Sequence, residues 1–190
     1  MELYFIRHGQ GEHNLDVPDR LNIKHPKLTE WGRIQVVELS KILLIDHENL
    51  VIVSPTRRTI ETSKILTGNT QSIRIYITPL IGPRMFPQNP DWTTLECDKT
   101  LMIEDIKEDN TYFMDKNDIS LWIEGINTLQ ESKFNELGIK LIQWIKNQDR
   151  KRAYIISHDG TINCYRQLLG EAGLTRSDFL GEAGMYRIEL

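Results

Sequence analysis

Three short apolar runs constrain this chain more than any other feature, because each stops abruptly at a polar turn. Leu3 to Ile6 ends at Arg7-His8-Gly9, Leu50 to Val53 ends at Ser54-Pro55, and Ala153 to Ile156 ends at Ser157-His158-Asp159-Gly160. Uninterrupted runs this short, rich in β-branched and aromatic residues, are read as strands buried on both faces. Helical patterns fill the intervals. Thr29-Glu30 opens a helix whose Val36, Leu39 and Leu43 share one face. Ser54 as N-cap and Pro55 at the first helical position predict a helix running to about Leu66 and stopping near Gly68. Ile73, Ile75 and Ile77 alternate with polar residues as a further strand. Phe134, Leu137, Leu141 and Trp144, with Ile145 beside the last, trace a long helix. Another helix spans Thr161 to about Leu169, and Met185 to Leu190 reads as a terminal strand.

Strands alternating with helices predict an α/β fold: a three-layer α/β/α sandwich with a largely parallel central sheet. Residues 1–190 are expected to form a single domain. Its irregular part is an excursion at about 78–122, broken by Pro79, Pro83, Pro87 and Pro90, with a short helix near Leu101 to Ile106.

Composition narrows the function. Lys and Arg number 23 against 27 Asp and Glu, a net charge of −4, which disfavours a nucleic-acid binder. No apolar run reaches the roughly 20 residues of a membrane span, and the opening residues lack the basic start and long apolar stretch of a secretory signal. The two cysteines, Cys97 and Cys164, form no zinc or CxxC pattern and fit a reducing compartment. The expectation is a cytoplasmic protein that binds neither nucleic acid nor membrane, with a homodimer left open.

In parallel sheets, ligands bind beyond the carboxyl ends of the strands. Those ends deliver His8 and His158 together with Arg7 and the Arg57-Arg58 pair. Arginine presents a rigid, permanently charged fork to phosphoryl oxygens. Histidine titrates near neutrality and serves as nucleophile, acid or base. The combination is a phosphate pocket beside a nucleophilic imidazole. No carboxylate cluster has metal-like spacing, and neither metal nor cofactor is expected.

Arg7-His8-Gly9, Ser54-Pro55-x-x-Arg58-x-x-x-Thr62 and Ser157-His158-Asp159-Gly160 resemble the histidine phosphatase superfamily, with its phosphoglycerate-mutase-like fold. Asn14 and Leu28-Thr29-Glu30-x-Gly32-x-x-Gln35 match as well. The resemblance implies a metal-independent phosphomonoester hydrolase acting on a small phosphorylated substrate through a phosphohistidine. It makes His8 the nucleophile, Arg7 and Arg58 the clamp on the non-bridging oxygens, and His158 the group that completes the pocket. Asn14 and Gln10 become substrate-binding candidates. A phosphoglycerate-mutase-type phosphomutase and a non-catalytic phospho-ligand module stand as alternatives.

One departure concerns the acid. The superfamily carries a glutamate after the third strand, in a Leu-x-Glu context, and here the stretch is Pro79-Leu80-Ile81-Gly82. Among Glu12, Asp91, Glu96 and Asp98, the expected replacement is Asp98, because Glu96-Cys97-Asp98-Lys99 resembles a plant and fungal branch with a Cys-Asp pair in this region. His13 reads equally as a substrate contact or a solvated loop residue, and His25 and His47 read as surface. Cys97 is expected as a small buried thiol, Cys164 and Trp144 as core, and Trp92 as a wall of the substrate site.

Overall fold

The computed structural model describes residues 1–68, 72–89, 91–106, 111–116 and 118–190, with position 111 described in its backbone only. Its strands are β1 (Glu2–Arg7), β2 (Leu50–Val53), β3 (Ile75–Ile77), β4 (Thr111–Phe113), β5 (Arg152–Ser157) and β6 (Met185–Glu189). They form one six-stranded sheet in the order β4-β3-β2-β5-β1-β6. Every pairing is parallel except that of β6 with β1. The last strand to join the parallel set, β5, lies between β1 and β2, pairing Arg7 with Ser157 on one side and Val53 with Ile156 on the other.

The longer helices are α1 (Glu30–Ser40), α2 (Arg57–Thr67), α3 (Ile119–Glu124), α4 (Glu131–Lys146) and α5 (Asp159–Leu168). Alternate residues of the central strands enter two separate cores, which is why those runs show no polar alternation. Leu3, Phe5, Leu50, Ile52 and Ile155 meet Phe134, Leu141 and Ile145 of α4 and Tyr165 of α5. On the other face Ile6, Val51, Val53 and Ile156 meet Val36 and Leu39 of α1 and Ile60 and Leu66 of α2. Helices thus cover both faces of the sheet, as expected. Ile155 has no exposed surface, and truncating such a residue to Ala costs about 2–5 kcal/mol.

Local expectations hold at α1, where the Thr29 side chain accepts from the Gly32 N–H as N-cap, and at Gly68, which ends α2 at φ +59°. The start of α2 is a correction. The N-cap is Thr56, not Ser54, because the Ser54 hydroxyl is held by His158 at 2.8 Å. The helix after β5 begins at Asp159 rather than Thr161, and Ile73 is buried just ahead of β3 rather than within it.

The described part of the excursion holds more regular structure than its composition suggests. It supplies β4, a parallel neighbour of β3, and α3, whose Trp122 is 1% exposed and packs edge-on against Phe113 at 5.8 Å. The helix expected near Leu101 to Ile106 is a single turn at Ile103–Asp105, and Pro90 lies outside the described residues. Among the described residues, no helix is long and apolar enough to cross a membrane.

Candidate active site

Strand ends place the reactive side chains. The His8 N–H donates to the Ser157 carbonyl at 3.1 Å, so the β1–β5 ladder itself fixes where His8 leaves the sheet. The following turn is forced tight against α1. A Cβ on Gly9 would lie 2.5 Å from the Gly32 carbonyl oxygen, and one on Gly32 would lie 2.1 Å from that of Gln10. Opposite, a Cβ on Gly160 would sit 2.1 Å from the Arg84 carbonyl oxygen. The absence of a side chain there lets the 83–86 segment cross the first turn of α5 and form one wall of a cleft of about 400 Å³.

His8 and His158 face each other at the base of that cleft, 2% and 4% exposed, with ring centroids 5.2 Å apart. The Nδ1 of His8 lies 2.7 Å from the Gly9 carbonyl. A carbonyl only accepts, so Nδ1 carries the proton and Nε2 keeps its lone pair. The Nε–H of Arg58 donates to that Nε2 at 3.2 Å. His158 is fixed by the same logic: Arg58 Nη2 donates to its Nδ1 at 3.2 Å, so its Nε2–H donates to Ser54 Oγ at 2.8 Å. Burial, then the Arg58 charge, drives both imidazoles well below their ordinary pKa, so both stay neutral.

Arg58 is 1% exposed and also donates to the Cys97 carbonyl at 2.7 Å. Arg57 points outward, 54% exposed, and pairs with Glu61 at 3.1 Å. Arg7 donates to the Leu180 carbonyl at 2.6 Å and pairs with Asp159 at 3.0 Å, while its Nε is buried in the cleft wall without a partner. Of the four carboxylates named from the sequence, only Asp98 lines the cleft. Its Oδ1 is 3.5 Å from Arg58 Nη2 and its Oδ2 accepts from Asn127 Nδ2 at 3.4 Å. Burial raises the Asp98 pKa against the opposing pull of Arg58. Glu12 is tied to Lys27 and Glu96 to Lys99, and Asp91 lies on the surface.

Asn14 lines the cleft, its side-chain carbonyl held by the Gly11 N–H at 2.9 Å. Gln10 does not. Its side-chain oxygen accepts from Thr29 Oγ1 at 2.9 Å, because the glycine-tight turn points it toward α1 instead of the cleft. His13 comes into the cleft, 5.5 Å from the His8 ring, with burial lowering its pKa to about 2. Trp92 stands in the cleft wall, as expected. Cys97 is buried and Cys164 half-buried. His25 is only half exposed to solvent, its Nδ1 buried, while His47 is at the surface. Ser54, Asn127, Arg20, Arg84 and Arg176 also belong to the site's surroundings and were not legible as such. Ser54 carried a signal, since a serine at a strand end next to the expected clamp is within reach of the facing strand.

The class of protein is an α/β sandwich whose largely parallel sheet carries, at its carboxyl edge, two neutral imidazoles with the buried Arg58 and the half-buried Arg7 beside them. Residues 3–189 match the family model of the histidine phosphatase superfamily (branch 1), and the chain belongs to that superfamily. It is similar to a probable phosphatase of Schizosaccharomyces pombe, 40% identical over 67 residues that make up 33% of this chain and 30% of that protein. Solved structures of the same fold include the alpha-ribazole phosphatase of Shigella flexneri, with a TM-score of 0.62 at 20% identity over 100% of this chain and 91% of that one. The phosphoserine phosphatase of Entamoeba histolytica, solved with 3-phosphoglyceric acid, gives 0.62 at 19% identity over 98% and 89%.

Proposed function

We propose that the protein hydrolyses phosphomonoesters through a phosphohistidine on His8, without a metal. The observation that carries this reading is the His8 tautomer: Nδ1–H is committed to the Gly9 carbonyl, leaving the Nε2 lone pair in the cleft beside Arg58. Nε2 attacks phosphorus as the ester P–O bond breaks. Asp98, kept protonated more readily by burial, gives its proton to the leaving oxygen. Water then attacks the phosphohistidine, its proton passes to the Asp98 carboxylate, and inorganic phosphate leaves with His8 neutral again.

Phosphoryl transfer needs positioning and charge stabilisation more than further covalent chemistry. Arg58, released from the imidazoles by an incoming phosphoryl oxygen, and the free Nε–H of Arg7 supply the clamp. His158 closes the other side, its ring 5.2 Å from that of His8. Asn14 is placed to touch the substrate from the first turn after the nucleophile. Asp159, the other carboxylate of the cleft, is held by Arg7 at 3.0 Å and by the Gly160 N–H at 2.7 Å. The two unpaired thiols suit a reducing cytoplasm, and a small phosphorylated molecule suits the cleft.

Rapid quenching during turnover of a labelled phosphomonoester, in excess chelator, tests the reading. Acid-labile, base-stable label on wild type and none on His8→Ala is the expected result. A strict need for added divalent metal would overturn it.

A further inference from the structure

Among the described residues, five arginines line the cleft, Arg7, Arg20, Arg58, Arg84 and Arg176, against two carboxylates, Asp98 and Asp159. This cationic surplus sits in a chain whose net charge is −4. Three of the five have work. Arg58 and Arg7 pair with Asp98 and Asp159 at the phosphoryl end. Arg84 spends Nη1 on the Ile126 and Leu129 carbonyls, each at 2.6 Å. Arg20 and Arg176 do not fit that pattern. Arg20 donates to the Leu15 carbonyl at 3.0 Å, and Arg176 stacks 5.5 Å over Phe179. Neither pairs with a carboxylate among the described residues, although both line the cleft.

Much of the remaining lining is apolar and aromatic. Phe86 and Phe179 face each other at 6.1 Å, and Leu21, Leu95 and Trp92 complete the surface. The Trp92 indole nitrogen is buried with no hydrogen-bond partner, an orphan donor beside the cleft. A phosphate dianion alone would leave this surface and two guanidiniums unused. Resting on the hydrolase reading, which it deepens, we infer that the substrate has two parts: a phosphoryl ester at His8, and an apolar or ring-bearing body that carries a second anionic group to Arg20 and Arg176. Guanidinium forks recognise carboxylate and phosphate alike, so the second group is defined by its charge. The two arginines stand outside the 78–122 excursion, one in the loop after the nucleophile and one after α5. Specificity is therefore shared among three segments.

The test uses aryl phosphates with a para chain of one to three carbons ending either in a carboxylate or in its primary amide, so that leaving groups match. Wild type is expected to favour the best-fitting acid over its amide by about tenfold in kcat/KM, mostly through KM, with the ratio shrinking as salt is added. In the double variant Arg20→Met, Arg176→Met the ratio collapses toward one. Calorimetric binding of the same pair to His8→Ala reads the anion site without chemistry. Equal turnover and equal binding of acid and amide would overturn the two-part substrate and leave hydrolysis standing. Tighter binding of the acid to His8→Ala, with no cleavage of either by wild type, would sustain the anion site and overturn the hydrolase reading instead.

Discussion

The Nε–H of Arg58 points at Nε2 of His8 from 3.2 Å, so a group that stays charged at every working pH faces the one His8 nitrogen with a lone pair. Burial, and then this contact, hold the imidazole neutral, and the contact also covers it. In the mechanism proposed above, attack on phosphorus requires an incoming phosphoryl oxygen to take over the Arg58 donors, so that its first event is a transfer of hydrogen bonds from imidazole to substrate.

Arg58→Ala is expected to lose about 10²–10³-fold in kcat/KM, the scale of removing one donor from a site of developing charge. Arg57→Ala is expected to stay within about threefold, since exposed ion pairs contribute little. Steady-state assays on both variants check this, and the reverse order would show that the wrong guanidinium has been assigned to the phosphoryl group.

His8→Ala is expected to fold and to lose turnover by about 10³-fold or more, several kcal/mol of barrier at roughly 1.4 kcal/mol per decade. The side chain sits at a strand end and makes two hydrogen bonds, one to the Gly9 carbonyl and one from Arg58. Circular dichroism and turnover measured on one preparation separate the two outcomes, and activity within tenfold of wild type would remove His8 from the mechanism.

Stability is expected to fall on acidification below about pH 6.5. An unfolded imidazole takes up a proton there, while burial and Arg58 keep native His8 and His158 neutral well below it. The unfolded state then binds the extra protons, at about 1.4 kcal/mol per pH unit for each histidine, and above pH 7 this contribution vanishes. Denaturant midpoints at pH 7, 6 and 5 check it, with His158→Gln expected to show a shallower slope. Equal slopes in wild type and variant would mean that His158 is charged in the native state.

Asp98→Asn is expected to slow alkyl phosphates by about 10²–10⁴-fold while aryl phosphates with good leaving groups change far less, because an alkoxide needs the proton and a nitrophenolate does not. Kinetics on one alkyl and one nitrophenyl ester decide it. Equal losses on both would assign Asp98 to holding Arg58 in place.

The strand cores and the strand-end places of Arg7, His8 and His158 were legible because each rests on local pattern, four apolar residues and then a turn, whereas Arg58 was told from Arg57 by resemblance. Asp98 was reachable only through resemblance, since nothing local announces that a one-turn 3₁₀ segment will sit under Arg58. Gln10 misled because adjacency to the nucleophile suggests the cleft, whereas the close passage of Gly9 and Gly32 turns it toward Thr29. In the excursion, β4 and α3 are too short to show a period, and their burial comes from long-range packing such as Trp122 on Phe113. Arg20 and Arg176 look like ordinary surface arginines until the chain closes around one space.

The position of β5 has a consequence for how the molecule comes to exist. His8 hangs from β1 and Arg58 follows β2, yet these strands meet only through β5, which arrives some hundred residues later in the chain. Until it does, each presents an open row of backbone donors and acceptors on the side where β5 belongs, a template for pairing with a stranger. Insertion of one strand pairs both edges and brings His158 opposite His8 in the same event. Late pairing of that strand leaves two edges open over a long stretch of chain, the condition under which unpaired strands associate with one another.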